Sequence, residues 1–295
     1  MLKKNKYYPF LELNLSFILM STSGLFGKII PLNPSVTIFI RCLMAGLLLL
    51  GYLRLRGGFN ISWKRDRWFF LISSVLLSIH WVSYFHSIKM AGVALAMLSL
   101  FSYPIITSIL EPFFFKSKHS WFDILSSVIV LAGLAMIVPE FSFGSSAVQG
   151  VLLGLGSSVL YAIRNILNRR YITTYSSTAI MCYQLLISAV LLFPFVWMYP
   201  PDISATTWGN LVLLSLVTTA IAHTLFVQGL VTFTTSTVSI LSCLTPVYGI
   251  LWAVWLTDEQ INEHTIWGGL IILLATFAQS IRHYKTLPHV AGNIR

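Results

Sequence analysis

The sequence predicts an all-α integral membrane protein, its ten transmembrane helices arranged as two inverted five-helix repeats. Three observations lead there. Only 9% of the residues are charged and 56% are hydrophobic, with a mean hydropathy of +0.80; so few charges cannot cover the surface of a soluble domain. Apolar runs near the 20 residues that a helix needs to cross hydrocarbon recur along the whole chain. Finally, a stretch of the first half returns in the second. With Pro104 set on Pro246, residues 93–138 resemble residues 235–280, and the turn Lys116-Ser117-Lys118 falls on Asp258-Glu259-Gln260. Basic turns stay cytoplasmic and acidic ones tolerate export, so the two copies read as upside down relative to each other, an arrangement found in secondary transporters.

The spans follow in order, with boundaries good to a few residues. The first, near 10–30, carries GLFGK and ends at a turn marked by Pro31, Asn33 and Pro34. The second, 34–54, contains FIRCLMAGLLLL and stops before Gly57 and Gly58. The third covers 68–88 and the fourth 92–114, each running through Tyr and His or Pro positions in apolar surroundings. The fifth is 120–139 and the sixth 148–168, which ends at Arg169 and Arg170. The seventh, 176–199, is closed by Pro200 and Pro201; the eighth is 206–228, the ninth 233–256 and the tenth 264–283. Residues 1–145 and 146–285 form the two repeats, and 286–295 a short cytoplasmic tail. MLKKNKYY is too weak a start for a cleaved signal peptide, because the apolar region after it is span-length and no small-residue cleavage site stands out.

Orientation comes from the basic residues. With both termini in the cytoplasm, 15 of the 19 Lys and Arg fall on the inner side, while Glu140, Asp202, Asp258, Glu259 and Glu263 occupy outer loops. The chain is thus expected in the cell inner (plasma) membrane. The net charge of +10 does not indicate nucleic acid, since these Lys and Arg sit in short loops between apolar runs and form no solvated basic face. Cys42, Cys182 and Cys243 lie inside apolar runs, with neither a disulfide framework nor metal spacing. No cofactor is implied.

Four basic residues are left over by the loops: Lys28, Arg41, Lys89 and Arg164. A charge within a span is normally tolerated facing a cavity, a partner or the interface. Laying 21–29 on 157–165 pairs Lys28 with Arg164, and laying 39–50 on 182–193 pairs Arg41 with Gln184. Lys28 and Lys89, close to outer span ends, are placed to snorkel. Arg164 is a candidate cavity residue. Arg41, roughly 10 Å deep at helical rise, is either a cavity charge or a structural clamp. His80, His86 and His223 suit proton carriage, substrate contact or plain packing. Tyr84, Tyr103, Tyr161 and Tyr248 fall near mid-span, where a hydroxyl needs a partner; with Trp81 and Trp252 they are candidates for an aromatic wall.

The ten-span length, the two copies, GLFGK, FIRCLMAGLLLL and the paired LFSYPIITSIL and LSCLTPVYGILWAVWLTDE segments resemble the EamA type of the drug/metabolite transporter superfamily. The resemblance implies a basket of ten helices around a central cavity lined chiefly by helices 1, 3, 4, 6, 8 and 9. It thereby implies substrate contact from Lys28, His80, Tyr84, Tyr103, Tyr161, Arg164, His223, Tyr248 and Trp252. The expected activity is secondary transport of a small metabolite by alternating access, more readily as export, with bending expected at Pro104 and Pro246, each read as mid-helix and without a donor N–H. Intramembrane charge is mostly basic, which favours an anionic, zwitterionic or neutral cargo, such as an amino acid or an aromatic or nucleoside-like compound. The alternative is proton-coupled export of lipophilic cations, for which Glu12 and Glu111 are the coupling candidates. HExxH, GxSxG and paired intramembrane aspartates are absent from the sequence, so no enzyme is expected; a filter-like loop for a channel is likewise not visible. The partners expected are the substrate and the bilayer, with the protein a monomer or weak homodimer.

Overall fold

The computed structural model describes residues 7–56, 61–137, 145–257 and 263–286, with only the backbone at a few of these positions, Trp252 among them. The acidic turn 258–260, Glu140 and the tail from 287 onward lie outside the described residues. Within them, every regular element is helical: α1 (Tyr8–Met20), α2 (Ser23–Ile29), α3 (Pro34–Arg56), α4 (Trp63–Leu100), α5 (Tyr103–Phe115), α6 (Trp121–Ile137), α7 (Ser145–Tyr171), α8 (Ser177–Leu192), α9 (Pro194–Met198), α10 (Ala205–Leu213), a π-helical segment (Leu214–Ile221), α11 (Ala222–Gly229), α12 (Thr235–Leu241), α13 (Leu244–Thr257) and α14 (Glu263–Thr286). Short hydroxyl side chains start several of them. Ser176, Ser204 and Thr234 accept the backbone N–H of Ala179, Thr207 and Thr237 at 3.2, 3.2 and 3.1 Å, satisfying donors that a helix N-terminus leaves open.

Among the described residues, six helical stretches are long and apolar enough to cross a membrane: Tyr8–Ile29, Pro34–Arg56, Trp63–Phe115, Ser146–Tyr171, Ser177–Met198 and Ala205–Gly229. Trp121–Met136 and Ile266–Arg282 are shorter apolar helices. The count differs from the ten expected for definite reasons. Trp63–Phe115 joins the third and fourth expected spans, the ninth is divided between α12 and α13, and the fifth and tenth give apolar helices below span length. Large apolar side chains, among them Leu48, Leu152, Val190, Trp197 and Phe277, are exposed on the outside. The molecule is a multi-pass membrane protein, and this apolar exterior suits hydrocarbon.

Inside, small residues let helices approach closely. On α7, Gly150 and Gly154 form a GxxxG face against α4: a Cβ on Gly154 would lie 2.6 Å from Ser99 Cβ, and one on Gly150 would lie 2.7 Å from Ala91 Cβ. A Cβ on Gly27 would meet Ile88 at 2.8 Å, and one on Gly133 the Gly268 carbonyl at 2.9 Å. Gly92 has a different task. Its φ of 80° and ψ of 167° interrupt α4 in a conformation that side chains oppose. Element pairing across the chain is orderly: α3 packs on α8, α5 on α12, α6 on α14, and α1 meets α11 as α4 meets α7.

Acidic side chains tie helix ends near the basic turns. Glu111, at the end of α5, accepts the N–H groups of Thr235 and Ser236 at 2.6 and 2.8 Å and the Ser236 hydroxyl at 2.5 Å, with Arg169 at 3.3 Å. Asp123 on α6 binds Arg282 of α14 at 2.6 Å and Gln279 at 3.0 Å. Asp66 on α4 accepts the Tyr175 hydroxyl and Arg65 Nε. Apart from that of Arg65 with its neighbour Asp66, each contact joins the first half of the chain to the second.

Candidate substrate cavity

Three helix breaks converge on one cavity. Between α1 and α2 lie Ser21 and Thr22, between α4 and α5 Phe101 and Ser102, and between α12 and α13 Ser242 and Cys243. At each break a serine hydroxyl donates to the carbonyl three residues back: Ser21 to Ile18 at 2.6 Å, Ser102 to Ser99 at 2.8 Å and Ser242 to Ser239 at 2.7 Å. These bonds keep backbone oxygens satisfied where the ladder tightens, which irregular backbone at membrane depth requires. Pro104 falls in the first turn of α5 and Pro246 in that of α13. The expectation of two mid-helix proline kinks is therefore corrected. The prolines open new helices, where their missing N–H costs nothing.

The cavity together with the open space at its mouth comes to about 580 Å³. Ser21, Ser23 and Gly24 form one wall, Met97, Leu100 and Phe101 another, and Ser242 and Thr245 a third. Aromatic rings supply the rest. Tyr103 and Tyr161 stand edge to face at 4.8 Å, and Tyr161 stacks on His80 at 4.4 Å. Tyr103 shares a hydrogen bond with Ser242. His80 Nδ1 pairs with Ser157 Oγ at 2.7 Å, and that hydroxyl lies 2.9 Å from the His80 carbonyl, which ties α4 to α7.

Arg41 contributes the cavity's fixed charge. It lies two turns into α3 and is 1% exposed. Its Nε donates to Thr219 Oγ1 at 2.5 Å, and its guanidinium carbon sits 3.9 Å from the centre of the Trp81 ring, a cation–π position. Thr219 is aimed by the π-helical segment. Its hydroxyl reaches the Leu214 carbonyl five residues back at 2.8 Å, and Thr218 reaches the same oxygen at 2.6 Å. π-helical stretches within α-helices often mark functional sites. Trp81 meets His223 edge-on at 5.1 Å on the other side. Arg41 Nη2, His223 Nδ1 and Thr245 Oγ1 are buried without a hydrogen-bond partner, and all three residues line the cavity.

Of the residues singled out from sequence, Arg41, His80, Trp81, Tyr84, Tyr103, Tyr161 and His223 are brought together on this lining. The others whose side chains are described lie elsewhere. Lys28 is exposed, and Lys89 donates to the Ile30 carbonyl at 2.7 Å. Arg164 is fully buried, but its guanidinium is taken up by Gln184 Oε1 at 2.6 Å, Asn165 Oδ1 at 3.3 Å and Met181; Gln184 passes the chain on to Asn168 at 2.7 Å. Tyr248 donates to Asn14 at 2.9 Å. The side chain of Trp252 lies outside the described residues. Glu12 is half-buried on α1, and Glu111 holds the helix-end contacts described above, so neither coupling candidate lines the cavity. Sequence reasoning missed Thr219, Ser242 and Thr245. A cluster of hydroxyls in VTTA and LSCLTP was the available signal, but the π register that turns Thr219 toward Arg41 has no mark in the residue types.

Broken helices around a polar, aromatic-walled cavity inside a multi-pass bundle fit a membrane transporter. A family model, the EamA-like transporter family, matches residues 11–138 and again 148–280, and the chain belongs to that family. It is similar to the uncharacterized transporter YxxF of Bacillus subtilis (24% identity over 265 residues, 84% of this chain and 81% of that protein). A second uncharacterized transporter of the same organism, YwfM, is 26% identical over 213 residues, 69% of each chain. Solute carrier family 35 member G1 of Mus musculus is 29% identical over 168 residues, but the match spans only 46% of that protein. A solved crystal structure shares the fold with a TM-score of 0.79 at 16% identity, covering 95% of this chain and 99% of that one.

Proposed function

We propose that this protein is a secondary transporter that moves a small anionic, zwitterionic or neutral metabolite across the cell inner membrane by alternating access, more readily as an exporter. Its ten crossings form two inverted halves, 1–145 and 146–285, with both termini in the cytoplasm. Length supports the crossing number. Trp63–Phe115 has 53 residues, about 80 Å if straight, against about 30 Å of hydrocarbon, and its break at Gly92 divides it into two crossings. The double match of the family model and the pairing of α3 with α8, α5 with α12 and α6 with α14 support two related halves. Rocking of one half against the other would expose the cavity to each side in turn.

The observation that carries the cargo class is Arg41: a buried guanidinium facing a cavity whose described lining contains no carboxylate. A lipophilic cation would meet like charge there, and Glu111 is already engaged by Thr235, Ser236 and Arg169. Counterflow in proteoliposomes tests the reading. Liposomes loaded with an unlabelled metabolite should accumulate the labelled compound transiently and saturably. Flux that rises linearly without saturation or exchange would contradict a carrier.

A further inference from the structure

We infer that the cavity takes an organic monocarboxylate with an uncharged, largely apolar body, and that the Arg41 fork is its anchor. This rests on the carrier reading above and narrows its three cargo classes to one. The guanidinium is fixed on two sides, by Thr219 at Nε and by the Trp81 face, so its direction is set before any ligand enters. One donor, Nη2, is left buried and unpartnered beside the cavity. An unpaired donor of this kind is costly, and a carboxylate oxygen relieves the cost with a charge-assisted bond. Tyr161 Oη, His223 Nδ1 and Thr245 Oγ1 are the other unpartnered polar atoms on the same lining, and each can face a carboxylate oxygen as donor, the histidine in its Nδ1–H form.

The remainder of the site rejects a second charge. Among the described lining residues Arg41 alone has a fixed charge. A dianion would bring one charge without a counter-ion. An α-amino acid would place its ammonium within a few ångströms of its carboxylate, and hence near the guanidinium, where the hydroxyls of Ser21, Tyr84 and Ser242 offer dipoles and no charge. Like charges in a poorly screened site repel strongly. The walls are Trp81, Phe101, Tyr103, Tyr161, Met97 and Leu100, which suit an apolar or aromatic body.

A matched series tests this by isothermal titration of the detergent-purified full chain. The probes are 3-phenylpropanoate, its neutral amide, 3-phenylpropylammonium and phenylalanine, which share one carbon skeleton and differ in charge. We expect 3-phenylpropanoate to bind at least about tenfold more tightly than each of the other three, the scale of one charge-assisted hydrogen bond. Arg41→Gln should abolish that preference, and Arg41→Lys, which keeps the charge but not the fork, should restore part of it. Equal binding of phenylalanine overturns the restriction to monocarboxylates, and equal binding of the amide overturns the anionic anchor. Absence of binding by 3-phenylpropanoate overturns the inference as a whole. None of these results touches the carrier reading, which fails only if counterflow fails for every cargo class. The wild-type series alone is decisive if the Arg41 variants do not fold.

Discussion

Two buried arginines occupy the interior, and their surroundings assign them different work. Arg164 is surrounded by acceptors that it satisfies, Gln184 and Asn165, whereas Arg41 keeps a nitrogen unpartnered at the cavity. Arg164→Gln is therefore expected to lower the melting temperature, because buried acceptors lose their donor at a cost of about 1–3 kcal/mol each. Affinity for any bound cargo should stay within about twofold of wild type. A variant with unchanged melting temperature and weakened binding would move the anchor from Arg41 to Arg164. The sequence made both positions visible, because a charge inside an apolar run is conspicuous. It did not separate them: the repeat pairs Arg164 with Lys28, which is exposed, and the rotation of a residue about its helix axis is decided by packing that residue types do not encode.

At the scale of elements, the breaks and close contacts position the cavity. The α4–α7 contact depends on Gly154, while Gly156 on the same helix has open space where its Cβ would be. Gly154→Ala forces a Cβ to within 2.6 Å of Ser99 Cβ and should destabilise by about 1–3 kcal/mol. Gly156→Ala, with nothing to meet, should be neutral or stabilise by up to about 1 kcal/mol through helix propensity. Melting temperatures of the two variants, measured side by side, check the opposite signs; a loss at both positions would refute the close contact. The GxxxG spacing at Gly150 and Gly154 was legible in principle and went unread. The prolines were read, but as kinks within helices rather than as first-turn residues of new ones. The helix breaks that precede them, at Phe101–Ser102 and Ser242–Cys243, interrupt runs whose apolar pattern continues unbroken.

The membrane class of the whole molecule was legible because it depends on composition, and composition does not require knowledge of contacts. The family, likewise, was carried by paired segments around Pro104 and Pro246. The cavity was legible only in part. Its aromatic residues and histidines stood out as polar or ring-bearing positions in apolar spans, but Thr219 owes its role to a local change of helical register. The unpartnered atoms of Arg41, His223 and Thr245 emerge only when all the helices are assembled. Two ion pairs, Glu111–Arg169 and Asp123–Arg282, and the Tyr175–Asp66 hydrogen bond join the first half to the second, so a change of access requires rearrangement there.

The most direct test of the account is the melting temperature of detergent-purified wild type and Arg41→Gln against a metabolite library sorted into anions, zwitterions, neutral aromatics and lipophilic cations. A ligand that binds only the folded protein raises that temperature. The account expects anions to stabilise the wild type and to lose that effect in Arg41→Gln. Stabilisation by lipophilic cations alone, undiminished in the variant, would contradict a cationic cavity and return attention to Glu12 and Glu111.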